Sequence, residues 1–206
     1  MARLLTLICV VFLSITSAQS NYEKGMQKAF ELWKADKTDD AQNLFERIAN
    51  AEKDEWLPHY YIAQINSLKS WNVTDENVLK AQLDKAQEHL DVAMRISENN
   101  PELMVMQAQV LTNWVAFDGR TYGMKYAAKV SELYAKAKAI SPNNPRAAFG
   151  AADWEMNSAK YFGQDTAPYC KAIAQSVTLF DSFKPESNLH PNWGKARALE
   201  VSKQCE

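Results

Sequence analysis

The sequence predicts an all-α protein in which about four antiparallel helix hairpins stack on one another and a ninth helix closes the C-terminal end. Three observations carry that prediction. Pro58, Pro101, Pro145 and Pro191 follow one another at intervals of 43, 44 and 46 residues, and two of them share a context, Ser97-Glu98-Asn99-Asn100-Pro101 and Ser141-Pro142-Asn143-Asn144-Pro145. An alanine series, Ala63, Ala108, Ala152 and Ala196, runs in step with spacings of 45, 44 and 44. Apolar residues recur at helical spacing, as in Leu79, Leu83, Ala86, Leu90, Ala93 and Met94, whereas no stretch alternates as a strand would.

Proline fits the first helical position because its missing N–H has no intrahelical partner there, so each of the four prolines marks a helix start. Turn residues separate the apolar runs at 36–40, 71–76, 118–119, 162–167 and 184–191, with Asp118-Gly119 and Gly123 read as a hairpin turn. The expected helices lie near 22–35, 38–51, 57–71, 76–97, 101–117, 122–140, 145–161, 166–183 and 191–204. With only 6 glycines in 206 residues and no low-complexity linker, residues 19–206 read as one continuous repeat domain.

Residues 1–18 read as a cleavable signal peptide: Arg3 supplies the positive start, Leu4 to Ile15 the apolar stretch, and Thr16-Ser17-Ala18 the small-residue cleavage site. The expected product is exported, periplasmic or secreted. An apolar run of about twelve residues falls short of the roughly 20 that span a bilayer, so no membrane insertion is expected. Cys9 sits within the apolar stretch, behind Leu7 and Ile8, where a lipid-attachment motif would want small residues. A formal net charge of −2 argues against nucleic acid, whose binders carry a basic stripe. Cys170 and Cys205 remain beyond the leader. Export favours a disulfide between them, and two buried free thiols are the alternative.

The spacing of small and aromatic positions resembles the tetratricopeptide repeat. Ala29, Leu32, Ala41, Phe45 and Ile48 match the first unit, and Ala63, Ala86, Leu90 and Ala93 the second. Ala108, Leu111, Val130, Tyr134, Ala137 and Pro142 match the third, with Ala152, Ile173, Val177 and Phe180 the looser fourth. Units two to four are roughly ten residues longer than the family's usual 34. The resemblance implies a right-handed α-solenoid whose concave face, built from the first helix of each hairpin, binds a protein or peptide. Carried over position by position, that face comprises Trp33 and Lys34, then Tyr60 and Gln64. Glu102, Val105, Gln109 and Asn113 follow in the third unit, and Arg146, Phe149, Asp153 and Asn157 in the fourth. An uncovered stack end would favour pairing with a second copy.

Nothing in the chain spells catalysis. No nucleophile elbow, paired-histidine metal motif or phosphate-cradling glycine loop is present. His89 has no ligand four residues away on its own helix, and His59 and His190 beside prolines read as capping or surface residues. A non-enzymatic protein without metal or cofactor is expected. Six tryptophans, Trp33, Trp56, Trp71, Trp114, Trp154 and Trp193, read as seam fillers between hairpins. Their alternative role, together with nearby amides, is a pocket for a glycan or another small ligand of the cell envelope. Asn72-Val73-Thr74 is a weak glycosylation triplet in an expected loop.

Overall fold

The computed structural model describes residues 21–205, and within them it is all-helical with no strand. The signal peptide expected over residues 1–18, with Cys9, lies outside the described residues. Helix α1 covers residues 21–34. It is followed by α2 (Thr38–Ala51), α3 (Leu57–Lys69), α4 (Glu76–Ile96) and α5 (Pro101–Phe117). The chain continues through α6 (Gly119–Ile140), α7 (Pro145–Tyr161), α8 (Ala167–Ser182) and α9 (Lys195–Ser202), ending in a 3-10 turn at Lys203–Cys205. Consecutive helices pair into hairpins α3/α4, α5/α6 and α7/α8, while α3, α5 and α7 pack in a row that joins one hairpin to the next; α1 meets α2 where Gly25 lies against the Ile48 side chain. No helix among the described residues is long and apolar enough to cross a membrane.

The Asn-Asn-Pro motifs mark helix starts through their chemistry. Asn100 Oδ1 accepts from the Glu102 amide at 2.9 Å, and Asn144 Oδ1 from the amides of Arg146 and Ala147 at 2.9 and 3.1 Å. Each cap satisfies amides that the first turn leaves unpaired and is worth about 1 kcal/mol. Pro101 and Pro145 then occupy the first helical position. Asp75 caps α4 in the same way.

Two expected boundaries are corrected. Helix α6 starts at Gly119, not 122, because Asp118 Oδ1 accepts from the Arg120 and Thr121 amides at 3.0 and 3.3 Å. A one-residue link therefore suffices, and Gly123 lies inside the helix. Pro191 starts no helix: residues 191–194 carry no regular structure, and Gly194, whose φ of 108° is open chiefly to glycine, turns the chain into α9.

The core runs the length of the stack. Phe45 lies stacked on Tyr61 at 5.3 Å, with Phe30 and Trp33 edge-on to both. Ala29, Ala41, Ala63, Ala86 and Ala93 are fully buried where helices cross, since only a methyl fits. Further along, Val105, Ala108, Val130, Tyr134 and Ala147 join α5, α6 and α7. Phe149, Met156, Ile173, Ala198 and Val201 join α7, α8 and α9.

The expected disulfide is present: Cys170 in α8 is bonded to Cys205 with Cα atoms 5.6 Å apart. The histidines depart from expectation. His59 is buried rather than on the surface, and its Nδ1 lies 2.9 Å from His89 Nδ1 across the α3/α4 hairpin. Burial, the His89 charge, Lys53 and Arg95 push the His59 imidazole down to about 4, and burial lowers His89 as well. Lys85, Glu46 and Glu88 also face His89.

Two outcomes are expected. A 35-residue separation makes the bridge worth on the order of 3 to 4 kcal/mol in the chain-entropy model, so Cys205→Ser or reduction should lower the thermal midpoint. Hydrogen exchange should rise first in α9, and an unchanged midpoint would show that the bridge adds nothing. The histidine pair, with folded pKa values below the unfolded 6.5, stabilises the fold above about pH 6.5. That contribution is lost as pH falls toward about 4, because the unfolded chain binds protons first. Denaturant midpoints measured from pH 7 to 4 should fall, and His59→Gln should flatten the slope.

Candidate functional site

The row of first helices, α3, α5 and α7, is the face expected to meet a partner. Instead it is covered by the chain itself. Residues 183–194, between α8 and α9, carry no helix and run across this row as a strap. Tyr61 Oη donates to the Leu189 carbonyl at 2.6 Å, and Trp193 Nε1 donates to Tyr60 Oη at 2.7 Å. Arg146 Nη1 reaches the Trp193 carbonyl at 3.4 Å while its guanidinium lies 4.6 Å from the Phe183 ring. His190 packs edge-on against Trp56 and bonds Ser187 at 2.8 Å. Gly194 is required where the strap ends, because a Cβ there would lie 2.8 Å from the Phe180 ring.

Beneath the strap lies a buried ion pair. Arg146, 2% exposed, donates through Nε and Nη2 to the two oxygens of Glu102, each at 2.7 Å. Asn144, whose Oδ1 caps α7, donates its Nδ2 to the same carboxylate at 2.6 Å. Tyr60 is fully buried beside this pair, and burial raises its phenol well above the ordinary value.

The expected partner residues are therefore placed mostly inside. Tyr60, Gln64, Asn113, Arg146, Phe149, Val105 and Glu102 are buried. Asn113 Nδ2 is shared among the Ser67 carbonyl, Ser67 Oγ and Ser70 Oγ, tying α5 to α3. Trp33, Gln109 and Asp153 are half-buried, with Trp33 in the first aromatic cluster and burial raising the Asp153 carboxyl. Only Lys34 and Asn157 are exposed, and Asn157 is spent on the Asp153 carbonyl and carboxylate. The buried ones join hairpin to hairpin, and Tyr60 and Arg146 also hold the strap. The strap was missed because Pro, Ser and Asn between residues 184 and 191 read as a turn; Phe183, Leu189 and Trp193 within and beside it were the signal.

An open cleft does exist, on the other flank of α7 against α6. Its floor is methyl groups, Ala135, Ala139 and Ala151, with Tyr134 beneath. The indole of Trp154 stands in the wall, its N–H fixed on Ser131 Oγ at 2.9 Å, and Lys138 and Glu155 flank the mouth. Burial keeps the Tyr134 phenol protonated. An indole plane over an apolar floor, with an ammonium at the rim, suits a flat ligand that carries an anionic group. A second hollow, at the α4/α5 turn, is lined by Met94, Glu98, Asn99 and Met104 and offers no aromatic face. Trp154 is expected from the sequence either to fill a seam or to line a ligand pocket, and the packing of α6 on α7 brings Ser131, Lys138 and the alanines to it.

Arg146→Ala would leave the Glu102 carboxylate buried without its partner, a loss of about 3 to 5 kcal/mol. The variant should unfold at lower denaturant, and Trp193 emission should shift to the red as the strap lifts. Arg146→Lys, with one ammonium in place of a two-pronged donor, should rescue little. Wild-type stability in either variant would show that the pair does not hold the strap.

No family model matches the sequence, and no curated protein matches it. Among solved structures, the chain is similar to the HusA haemophore from Porphyromonas gingivalis, with a TM-score of 0.74 and 20% identity over 90% of this chain and 92% of that one. At that identity the likeness shows a shared helical fold over nearly the whole length of both proteins.

Proposed function

We propose that this protein is an exported, non-catalytic carrier of a flat, largely apolar ligand with carboxylate groups, of the haem class, held in the cleft between α6 and α7. The observation that carries the reading is the whole-length fold shared with a haemophore. The cleft supports it with the three things such a ligand needs: an indole to stack on, a floor of methyl groups, and Lys138 to meet a carboxylate. Export is supported by the signal-like first residues and by the Cys170–Cys205 bridge, which suits an oxidising compartment. Within this reading the hairpins are elongated relatives of the tetratricopeptide repeat, and their row of first helices serves to seat the strap. A ligand carrier is favoured over a peptide-binding scaffold because that row is already filled.

Titration of the purified, ligand-free protein with haemin should give a saturable change in the Soret band together with quenched tryptophan emission. Trp154→Ala should weaken binding about tenfold, the worth of one aromatic stacking partner. Lys138→Glu should weaken it by roughly half as much on a logarithmic scale. Ala135→Trp fills the cleft from an exposed position without touching the core and should abolish the signal. A wild-type protein with no saturable haemin signal would sink the reading. A protein that instead responded to envelope glycans through Trp154 would transfer the cleft to a sugar.

A further inference from the structure

The exposed apolar residues are not scattered. Eight large hydrophobic side chains stand out among the described residues, and six of them, Leu68, Trp71, Val78, Met124, Tyr161 and Phe162, lie where helices turn within the second, third and fourth hairpins. Met124 is 97% exposed, Phe162 71% and Tyr161 62%. Contacts join these turns into one edge. Tyr122 Oη at the start of α6 donates to Glu76 at the start of α4. The Tyr161 ring lies so close over Gly119 that a Cβ there would be 3.2 Å away. Trp114 and Tyr126 pack on either side of Tyr122, with ring centroids 4.7 and 6.1 Å from it.

Charge on this edge is divided by use. Asp75, Asp118 and Asp165 each accept backbone amides at the start of α4, α6 and α8, so their charge is turned into the helix termini. Glu76 is engaged by Tyr122. Arg120, Lys125 and Lys160 are exposed, and among the described residues none is in an ion pair. Lys125 lies 4.9 Å from the Tyr126 ring, flat along the aromatic surface. The edge therefore offers protruding aromatic and thioether tips with free cations among them.

We propose that this edge rests on the surface of an anionic lipid bilayer, with Met124, Tyr161 and Phe162 entering the headgroup layer and Arg120, Lys125 and Lys160 meeting lipid phosphates. Tyr161 suits that interface because its ring leaves water while its hydroxyl stays wet, and Met124 and Phe162 bury apolar surface there. Each cation near an anionic surface adds to the attraction, and salt screens it. The contact is peripheral and needs no membrane-crossing helix. It is independent of what the α6/α7 cleft carries, since that cleft lies on α6 residues 131–139, beyond the edge.

The test uses the whole chain without added ligand. Sedimentation with vesicles of phosphatidylcholine containing phosphatidylglycerol should carry the protein down, and Trp71 and Trp114 emission should shift to the blue. Pure phosphatidylcholine vesicles, or high salt, should weaken uptake about tenfold. Met124→Ser with Phe162→Ser should abolish it, and Lys125→Glu with Lys160→Glu should weaken it about tenfold or more. These side chains are exposed, so circular dichroism should remain that of wild type. Wild-type protein left in the supernatant, or the Met124→Ser, Phe162→Ser variant pelleting like wild type, would overturn the proposal. So would an edge that binds a protein receptor and takes up no vesicles.

Discussion

Burying the guanidinium of Arg146 constrains everything around it. An ion held 2% exposed must have its charge and its donors met inside the protein, or the fold loses several kcal/mol. Glu102 meets the charge from the preceding hairpin, Asn144 orients that carboxylate while capping α7, and the strap supplies the Trp193 carbonyl. Three segments far apart in sequence are thereby fixed in one register. A purely apolar contact at this point would tolerate sliding between hairpins, whereas a two-pronged donor on a carboxylate tolerates very little.

The same helix that closes one face opens the other. On α7, Gly150 and Trp154 are four residues apart and so lie on one side of the helix, toward α6. At Gly150 the Tyr134 ring comes so near that a Cβ would sit 2.3 Å from it, and the two helices touch. One turn later the indole of Trp154 stands between them on Ser131, and facing alanines leave the space unfilled. A glycine followed one turn later by a tryptophan thus wedges the pair apart. The cleft follows from side-chain size along a single helix face.

Much of the fold was legible because its punctuation is local. The Asn-Asn-Pro motifs act within three residues through a cap and a proline, so α5 and α7 start where the prolines say. Pro191 misled for the converse reason: in α9 the turn is made by Gly194 against Phe180 and Arg146, partners that sequence distance conceals. The site was much less legible. Tyr60 and Arg146, expected on a face that meets a partner, instead bond the chain's own residues 183–194, which follow them by more than 35 positions in sequence. His59 and His89, 30 residues apart, meet only through the α3/α4 crossing, which no spacing on one helix reveals.

The closing of one face and the opening of the other are also mechanically separate. Helix α9 has eight residues, too few to persist alone, since isolated helices shorter than about 12 are marginal in water. It is held by Ala198 and Val201 in the last core cluster and by the bridge from Cys205 to α8, so the strap is anchored at both ends before its own hydrogen bonds count. Arg146 meets the strap at the first turn of α7, and Trp154 meets the cleft about two turns further on and roughly a quarter-turn around the helix. A ligand of the proposed class would meet Lys138 and Glu155 beside the cleft and would leave the buried pair and the strap as they are.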